Sequence, residues 1–272
     1  MENNLIIYSL IGIMAGVLSG MFGIGGGVVI VPALMLLMGF TLPQASGTSL
    51  MALLLPVGIF AVVSYHKAKL LNIKISLIIA LGIIIGNFFG SITAVNIDVQ
   101  LLKLFYALFL LWVALNFINL KDIIKKLSFK SELSSNVTAT NIITNNNSTF
   151  DNFYFLLPVG LAAGYLSGLF GIGGGLVIVP VLIKFLKFDT KKAIGTSLGS
   201  LLLPVGLPGV LVYNHAGVLI WAAAIPVAAG LFVGSIFGAK ITISLPSLLI
   251  KRIYGAFLLI MSFYFTYQSL VH

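Results

Sequence analysis

The chain has 272 residues, of which 60% are hydrophobic and only 8% are charged, and its mean hydropathy is +1.16. Soluble domains carry about 45–50% apolar and about 25% charged residues, so this chain has too few charges to cover a soluble surface. The net charge of +9 is spread between apolar stretches, without the basic face that a nucleic-acid partner requires. Unbroken apolar runs of about 20 residues predict an all-α polytopic membrane protein that lies in the lipid bilayer.

Each half of the chain contains five apolar segments, and the sequence from Leu5 onward predicts a first helix rather than a cleaved signal peptide. Val28–Phe40 would form a helix of about 20 Å, too short for a hydrocarbon core of about 30 Å. We therefore expect about 8–10 transmembrane or half-membrane helices. The segments are Leu5–Phe22, Val28–Phe40, Gln44–Tyr65, Ile73–Val95 and Leu101–Ile118, followed by Phe153–Phe170, Leu176–Phe188, Lys192–Tyr213, Val218–Ile241 and Leu248–Leu270.

An internal repeat divides the chain. GVLSGMFGIGGGVVIVP at 16–32 returns as GYLSGLFGIGGGLVIVP at 164–180, with 14 of 17 positions identical and an offset of 148. The same offset relates GTSLMALLLPVG at 47–58 to GTSLGSLLLPVG at 195–206. The sequence thus predicts two homologous transmembrane repeats, 1–118 and 153–272, a common plan for transporters. Residues 119–152 begin with lysines and end in an Asn/Ser/Thr-rich run, which predicts a polar linker.

The distribution of basic residues predicts the orientation. With both termini outside and the linker 119–152 in the cytoplasm, 14 of the 15 basic residues lie on the cytoplasmic side, and Lys103 is the exception. The second half then starts on the opposite face from the first. The sequence therefore predicts inverted-topology halves in a multi-pass protein of the cell membrane.

The GIGGG sequences at 23–27 and 171–175 lie between a long and a short apolar segment, and we expect broken hairpins there. Irregular backbone at membrane depth must line a cavity or be buried in protein. Glycines followed by a helix N-terminus present unpaired N–H groups, which favour an anion. The alternative is that the glycines only permit close helix packing, which we prefer for Gly16-xxx-Gly20 and for Gly82-xxx-Gly86-xxx-Gly90.

Hydroxyl residues follow in both halves, as Thr48-Ser49 and Thr196-Ser197. They either cap the adjacent helix or donate hydrogen bonds to a substrate oxygen. All six carboxylates lie outside the apolar segments, which argues against a cation as cargo. We expect no metal, no cofactor and no enzymatic activity, because the segments contain no carboxylate pair, nucleophile triad or metal cluster.

The pattern GxxSGxxGIGGGxxxVP near the start of each half, followed by GTS, resembles the TauE/SafE sulfite exporter family, also called the 4-toluene sulfonate uptake permease family. The resemblance covers nearly the whole chain except the linker. It implies a secondary transporter of small sulfur-containing or organic anions, such as sulfite or sulfonates, and we expect export by alternating access. Its implied substrate-binding residues are Gly25, Gly26, Gly27, Thr48, Ser49, Gly173, Gly174, Gly175, Thr196 and Ser197.

Alternatives to this function remain open from the sequence. An anion channel would suit the same chemistry, and a transporter of a neutral or thiol sulfur compound would suit the same fold. The glycine-rich helix faces would also permit a homodimer, although they serve equally for packing within one chain.

Overall fold

The computed structural model describes residues 2–54, 59–117, 153–245 and 247–271. Twelve α-helices and no strands are found in these ranges. In chain order they are α1 (Glu2–Phe22), α2 (Gly27–Met38), α3 (Leu42–Leu54), α4 (Ile59–Lys67), α5 (Ile73–Asn96), α6 (Val99–Phe117), α7 (Phe153–Phe170), α8 (Gly175–Lys184), α9 (Thr190–Leu201), α10 (Leu207–His215), α11 (Trp221–Ser244) and α12 (Ser247–Val271). The predicted linker 119–152 lies outside the described residues.

The repeat in the sequence is also a repeat of helices. Helices α10 and α11 begin and end 148 residues after α4 and α5, the same offset that relates the motifs. Both glycine-rich motifs separate a long helix from a short one, as the sequence predicts. The short helices α2 and α8 have 12 and 10 residues, or about 18 and 15 Å.

The two halves pack against each other through equivalent helices. Helix α1 lies along α11, and its counterpart α7 lies along α5. A Cβ atom at Gly86 would overlap the carbonyl oxygen of Leu161, and one at Gly16 would overlap that of Leu231. The expectation that these glycines permit close helix packing is therefore confirmed, and the packing is within the chain. The third long pair, α6 with α12, also joins the two halves.

The prediction of a single segment at Lys192–Tyr213 is wrong. Helix α9 ends at Leu201 and α10 begins at Leu207, so the second half has six helices rather than five segments. Pro204 explains the break, because proline has no N–H group and disfavours helical geometry in the residue before it. In the first half, α3 and α4 lie at 54° to each other, and the predicted segment Gln44–Tyr65 includes residues 55–58, which lie outside the described residues.

Three helices among the described residues are long and apolar enough to cross a membrane, in the stretches Asn4–Phe22, Ile73–Asn96 and Trp221–Thr242. A fourth span results if α3 and α4 are counted as one bent span. Along α5, Leu77, Leu81 and Ile85 are about half exposed and recur every four residues. One face of this helix is therefore apolar and uncovered by protein, as a lipid-facing surface requires.

The connection between α4 and α5 lies against α9. The carbonyl of Leu70 lies beside Gly195, and the Asn72 N–H donates to Thr196 Oγ1 at 3.2 Å. Asp98 and Asp189 lie in helix connections, where Asp98 accepts two hydrogen bonds and Asp189 accepts one from backbone N–H groups of the following helix.

Candidate functional site: a paired glycine-loop cavity

Each GIGGG loop has a backbone that favours glycine. Gly23, Gly25 and Gly26 have φ angles of 71°, 81° and 86°, in the left-handed region. The equivalent residues of the second loop repeat these values at 69°, 80° and 79°. A side chain at these positions would be strained, so the sequence at 23–26 and 171–174 forms two turns of the same shape. The last left-handed glycine of each loop is the N-cap of the short helix.

The two loops contact each other reciprocally. A Cβ atom at Gly27 would overlap the carbonyl oxygen of Gly171, and one at Gly175 would overlap that of Gly23. A Cβ at Gly25 would lie 3.6 Å from the Cα of Gly173, and the reverse distance is the same. Such reciprocal contacts indicate a pseudo-twofold relation between the halves. The N-terminal ends of α2 and α8 therefore lie next to each other.

Backbone donors remain unpaired at this meeting point. In the part of the chain that the structure describes, no group accepts a hydrogen bond from the N–H groups of residues 24–27 or 172–175. The helix bonds begin only with Val29 and Val177, which donate to the N-cap carbonyls. Unpaired N–H groups at helix N-termini carry partial positive charge, so two such ends produce a positive electrostatic environment without any charged side chain.

The serines of the GTS sequences fix the loops. Ser49 Oγ donates to the carbonyl of Gly171 at 2.8 Å, and Ser197 Oγ donates to that of Gly23 at 2.8 Å. Both serines are fully buried. Each hydroxyl thus bonds the glycine loop of the opposite half.

The threonines bond different partners. Thr48 Oγ1 accepts from the N–H of Ile220 at 3.3 Å, and Thr196 Oγ1 accepts from that of Asn72 at 3.2 Å. These N–H groups lie just before the long helices α11 and α5. Within one GTS sequence, the serine therefore holds a glycine loop and the threonine holds the start of a long helix.

Two buried tyrosines anchor the ends of the helices that precede the loops. Tyr65 Oη donates to the carbonyl of Gly20 at 3.1 Å, and Tyr213 Oη donates to that of Gly168 at 2.7 Å. Tyr213 also packs on Gly47, where an added Cβ would lie 2.8 Å from its own Cβ. Tyrosine side chains thus occupy the space that a side chain would need at the glycine of each GTS sequence.

A cavity of about 40 Å³ lies between the two loops, with room for roughly three water molecules. Eight of its lining residues form four pairs related by the repeat, which are Ser19 and Ser167, Gly25 and Gly173, Leu50 and Leu198, and Leu53 and Leu201. The cavity also contacts Leu202, Val205 and Gly206 at the break between α9 and α10, and Leu231 of α11. The cavity therefore lies where equivalent residues of the two halves meet.

Of the ten predicted site residues, Gly25 and Gly173 line the cavity, whereas the other eight are not among its lining residues. Sequence reasoning missed Ser19 and Ser167, which are nearly fully buried at the cavity wall. The signal was present in the duplicated Leu-Ser-Gly of the motif, but a serine inside a helix gave no sign of the direction in which it points.

A second, larger cavity of about 320 Å³ lies beside the first. It is mainly apolar, is bordered by α4, α5 and the C-terminal end of α9, and includes His66 and Ser76. Leu202 lines both cavities, so the two cavities are adjacent at this side chain.

Comparisons with known proteins agree with this architecture. The family model described as "Sulfite exporter TauE/SafE" matches residues 8–265. The chain belongs to the TauE/SafE sulfite exporter family. It is 30% identical over 246 residues to a protein of Methanocaldococcus jannaschii named "probable membrane transporter protein", and the match covers 87% of this chain and 84% of that protein.

Relatives from Bacillus subtilis carry the same description. The chain is 28% identical to the probable membrane transporter protein YunE, with 87% of this chain and 88% of YunE covered. It is 26% identical to YdhB, with 89% and 92% covered. No solved structure matches the chain. The matched family and the apolar helices together make this a TauE/SafE membrane transport protein.

Proposed function

We propose that this TauE/SafE protein is a secondary transporter that exports a small sulfur-containing or organic oxyanion, and that the anion binds between the two glycine loops. The observation that carries the proposal is the unpaired N–H groups of residues 24–27 and 172–175 beside a small shared cavity. Helix N-termini bind anions through such donors and through the helix dipole.

The dimensions of the cavity support a small ligand. A volume of about 40 Å³ suits the polar head of an oxyanion such as sulfite or a sulfonate, while a bulky organic group would require side chains to move. The four leucines around the head group are apolar, which strengthens hydrogen bonds to the anion because water is excluded. The Ser19 and Ser167 hydroxyls supply further polar contacts at the wall.

The predicted GTS residues act on the substrate through the loops. Ser49 and Ser197 donate to loop carbonyls, and this orients the same peptide units whose N–H groups we assign to the anion. Thr48 in α3 and Thr196 in α9 accept hydrogen bonds from the residues just before the long helices of the opposite half. Any movement of a long helix would therefore be coupled to the geometry of the loops.

The transport cycle that we propose is alternating access between inverted halves. The two loops would stay in contact near the bilayer midplane while surrounding helices open the cavity to one face and then the other. The larger cavity beside Leu202 is a candidate approach from the face that carries Lys67 and Lys69. Lysines on the cytoplasmic face would attract an anion from that side, which favours export.

The proposal is tested with purified protein in liposomes. Gly26 has a φ of 86°, and a Cβ there would lie 2.8 Å from Leu231 Cδ1, so Gly26→Val should abolish oxyanion flux. Gly39→Val is the matched control, because Gly39 has a φ of 68° but no atom within 4 Å of an added Cβ. Flux at the normal rate in a folded Gly26→Val protein would contradict the site. Chloride passing as freely as sulfite would indicate a channel.

A further inference from the structure

The two halves of the cavity are not equivalent in their polar surroundings. Asn87 lies in the middle of α5 and is fully buried. The repeat places Ser235 at the corresponding position of α11. A buried carboxamide is retained at a cost unless its donors and acceptors are paired, so its partners define its role.

The first partner is the start of α10. The N–H of Gly209 donates to Asn87 Oδ1 at 2.8 Å, and a Cβ at Gly209 would overlap that oxygen. The repeat position of Gly209 is Ala61. The contacting pair is thus asparagine and glycine, whereas the residues at their repeat positions are serine and alanine. The asparagine side chain fits because its partner, Gly209, has no methyl group.

The second partner is at the cavity. Asn87 Nδ2 lies 3.4 Å from Ser167 Oγ, and it must be the donor because a carboxamide nitrogen has only hydrogens to offer. The bond from Gly209 fixes the orientation of the amide, since a flipped amide would place two donors against each other. Ser167 Oγ therefore accepts. Among the described residues, no group accepts the proton of Ser167.

We propose that Asn87 is a positioning residue that turns Ser167 into a hydrogen-bond donor toward the bound oxyanion. By accepting from Asn87, the Ser167 hydroxyl directs its own hydrogen away from α5, and Ser167 lines the cavity in which we place the oxyanion. Asn87 thus fixes a donor on the cavity wall, at a position where the repeat has Ser235. This inference rests on the proposed function of the same cavity.

The test exchanges the pair for the one that the other half already uses. The double variant Asn87→Ser with Gly209→Ala restores the volume lost at one residue with the methyl group gained at the other. We expect the apparent KM for sulfite to rise about tenfold, the effect of losing one hydrogen bond to an anion, while the maximal rate changes little. A structural defect would instead lower the amount of active protein and the maximal rate.

Ser91→Ala is the matched control. Ser91 lies one turn further along α5, is fully buried and bonds only to helix carbonyls, and its repeat counterpart is Ala239. It does not line the cavity, so its replacement should leave the KM unchanged. A rise in KM for this variant equal to that of the pair exchange would contradict the proposal.

A double-mutant cycle identifies the route of the effect. Ser167→Ala should raise the KM by a similar factor, and adding the Asn87→Ser/Gly209→Ala exchange should then have no further effect. Fully additive effects would overturn the inference, as would a wild-type KM in a well-folded exchange variant. If the wild-type protein moved no oxyanion, the proposed function itself would fail. This result is distinct from a failure of the Asn87 inference, because it is seen without any variant.

Discussion

The close approach of the glycine loops can be tested with one methyl group. At Gly27, an added Cβ would overlap Gly171 O and would lie 2.6 Å from the Cα of Ile172. Ordinary contact begins near 3.4 Å, so Gly27→Ala must push the opposite loop away by at least about 0.8 Å. Because both contacts are backbone atoms, no side chain can rotate to relieve them. The repeat offers the same experiment at Gly175, where the distance to the Cα of Ile24 is 2.7 Å.

The size of the effect follows from this displacement. Overpacking of this kind costs about 1–3 kcal/mol of stability. Binding donors must stay within about 0.5 Å of their productive geometry, so a shift of at least about 0.8 Å should also weaken the site. We expect at least a tenfold rise in apparent KM for sulfite, or about 1.4 kcal/mol of binding energy. Gly175→Ala should have the same effect within a factor of about two to three, since its contacts are reciprocal.

Gly39→Ala separates stability from function. Gly39 has a φ of 68°, so alanine there costs about 1–2 kcal/mol of strain. An added Cβ meets nothing within 4 Å, and no loop moves. The assay combines thermal unfolding in detergent with initial flux rates in liposomes. All three variants should lose similar stability, but only Gly27→Ala and Gly175→Ala should lose transport. An unaltered KM in a folded Gly27→Ala protein would refute the reasoning that the loop separation defines the site.

Two other predictions concern the loop anchors and the orientation. Ser49→Ala removes the donor to Gly171 O and leaves a buried carbonyl unpaired. The free energy of unfolding, measured by thermal or denaturant unfolding in detergent, should therefore fall by about 1–3 kcal/mol. A change below about 0.5 kcal/mol would show that the carbonyl finds another partner. Because the chain has no cysteine, single-cysteine variants report sidedness with a membrane-impermeant thiol reagent. Lys69→Cys should be labelled only from the cytoplasmic side and Gly217→Cys only from the outside, and the reverse pattern would invert the proposed orientation.

The internal repeat made much of the fold predictable. Identical glycines at an offset of 148 predict identical backbone, and the φ angles of Gly26 and Gly174 are 86° and 79°. The same offset relates the bounds of α5 and α11. Hydrophobicity was less informative at 201–206, where the apolar run continues through the helix break. Only Pro204 and Gly206 signalled that break, and their signal was weaker than that of the surrounding leucines.

The contacts between halves could not be predicted. A repeat shows which residues are equivalent, but it does not show which residues touch. Ser49 bonds Gly171, 122 residues away, because the two halves interlock, and no local pattern reports this. The glycine loops could be proposed as a site from their backbone chemistry, whereas the positions of Ser19 and Asn87 are seen only in the packed helices.

Counterflow in proteoliposomes tests the central claim most directly. Vesicles that contain the purified protein are loaded with a high concentration of unlabelled sulfite and diluted into a trace of radiolabelled sulfite. Alternating access predicts that label accumulates transiently above its equilibrium level, that the accumulation saturates with sulfite, and that chloride does not replace sulfite inside the vesicles. Equilibration of the label without any transient accumulation, in vesicles where flux is clearly present, would contradict the account.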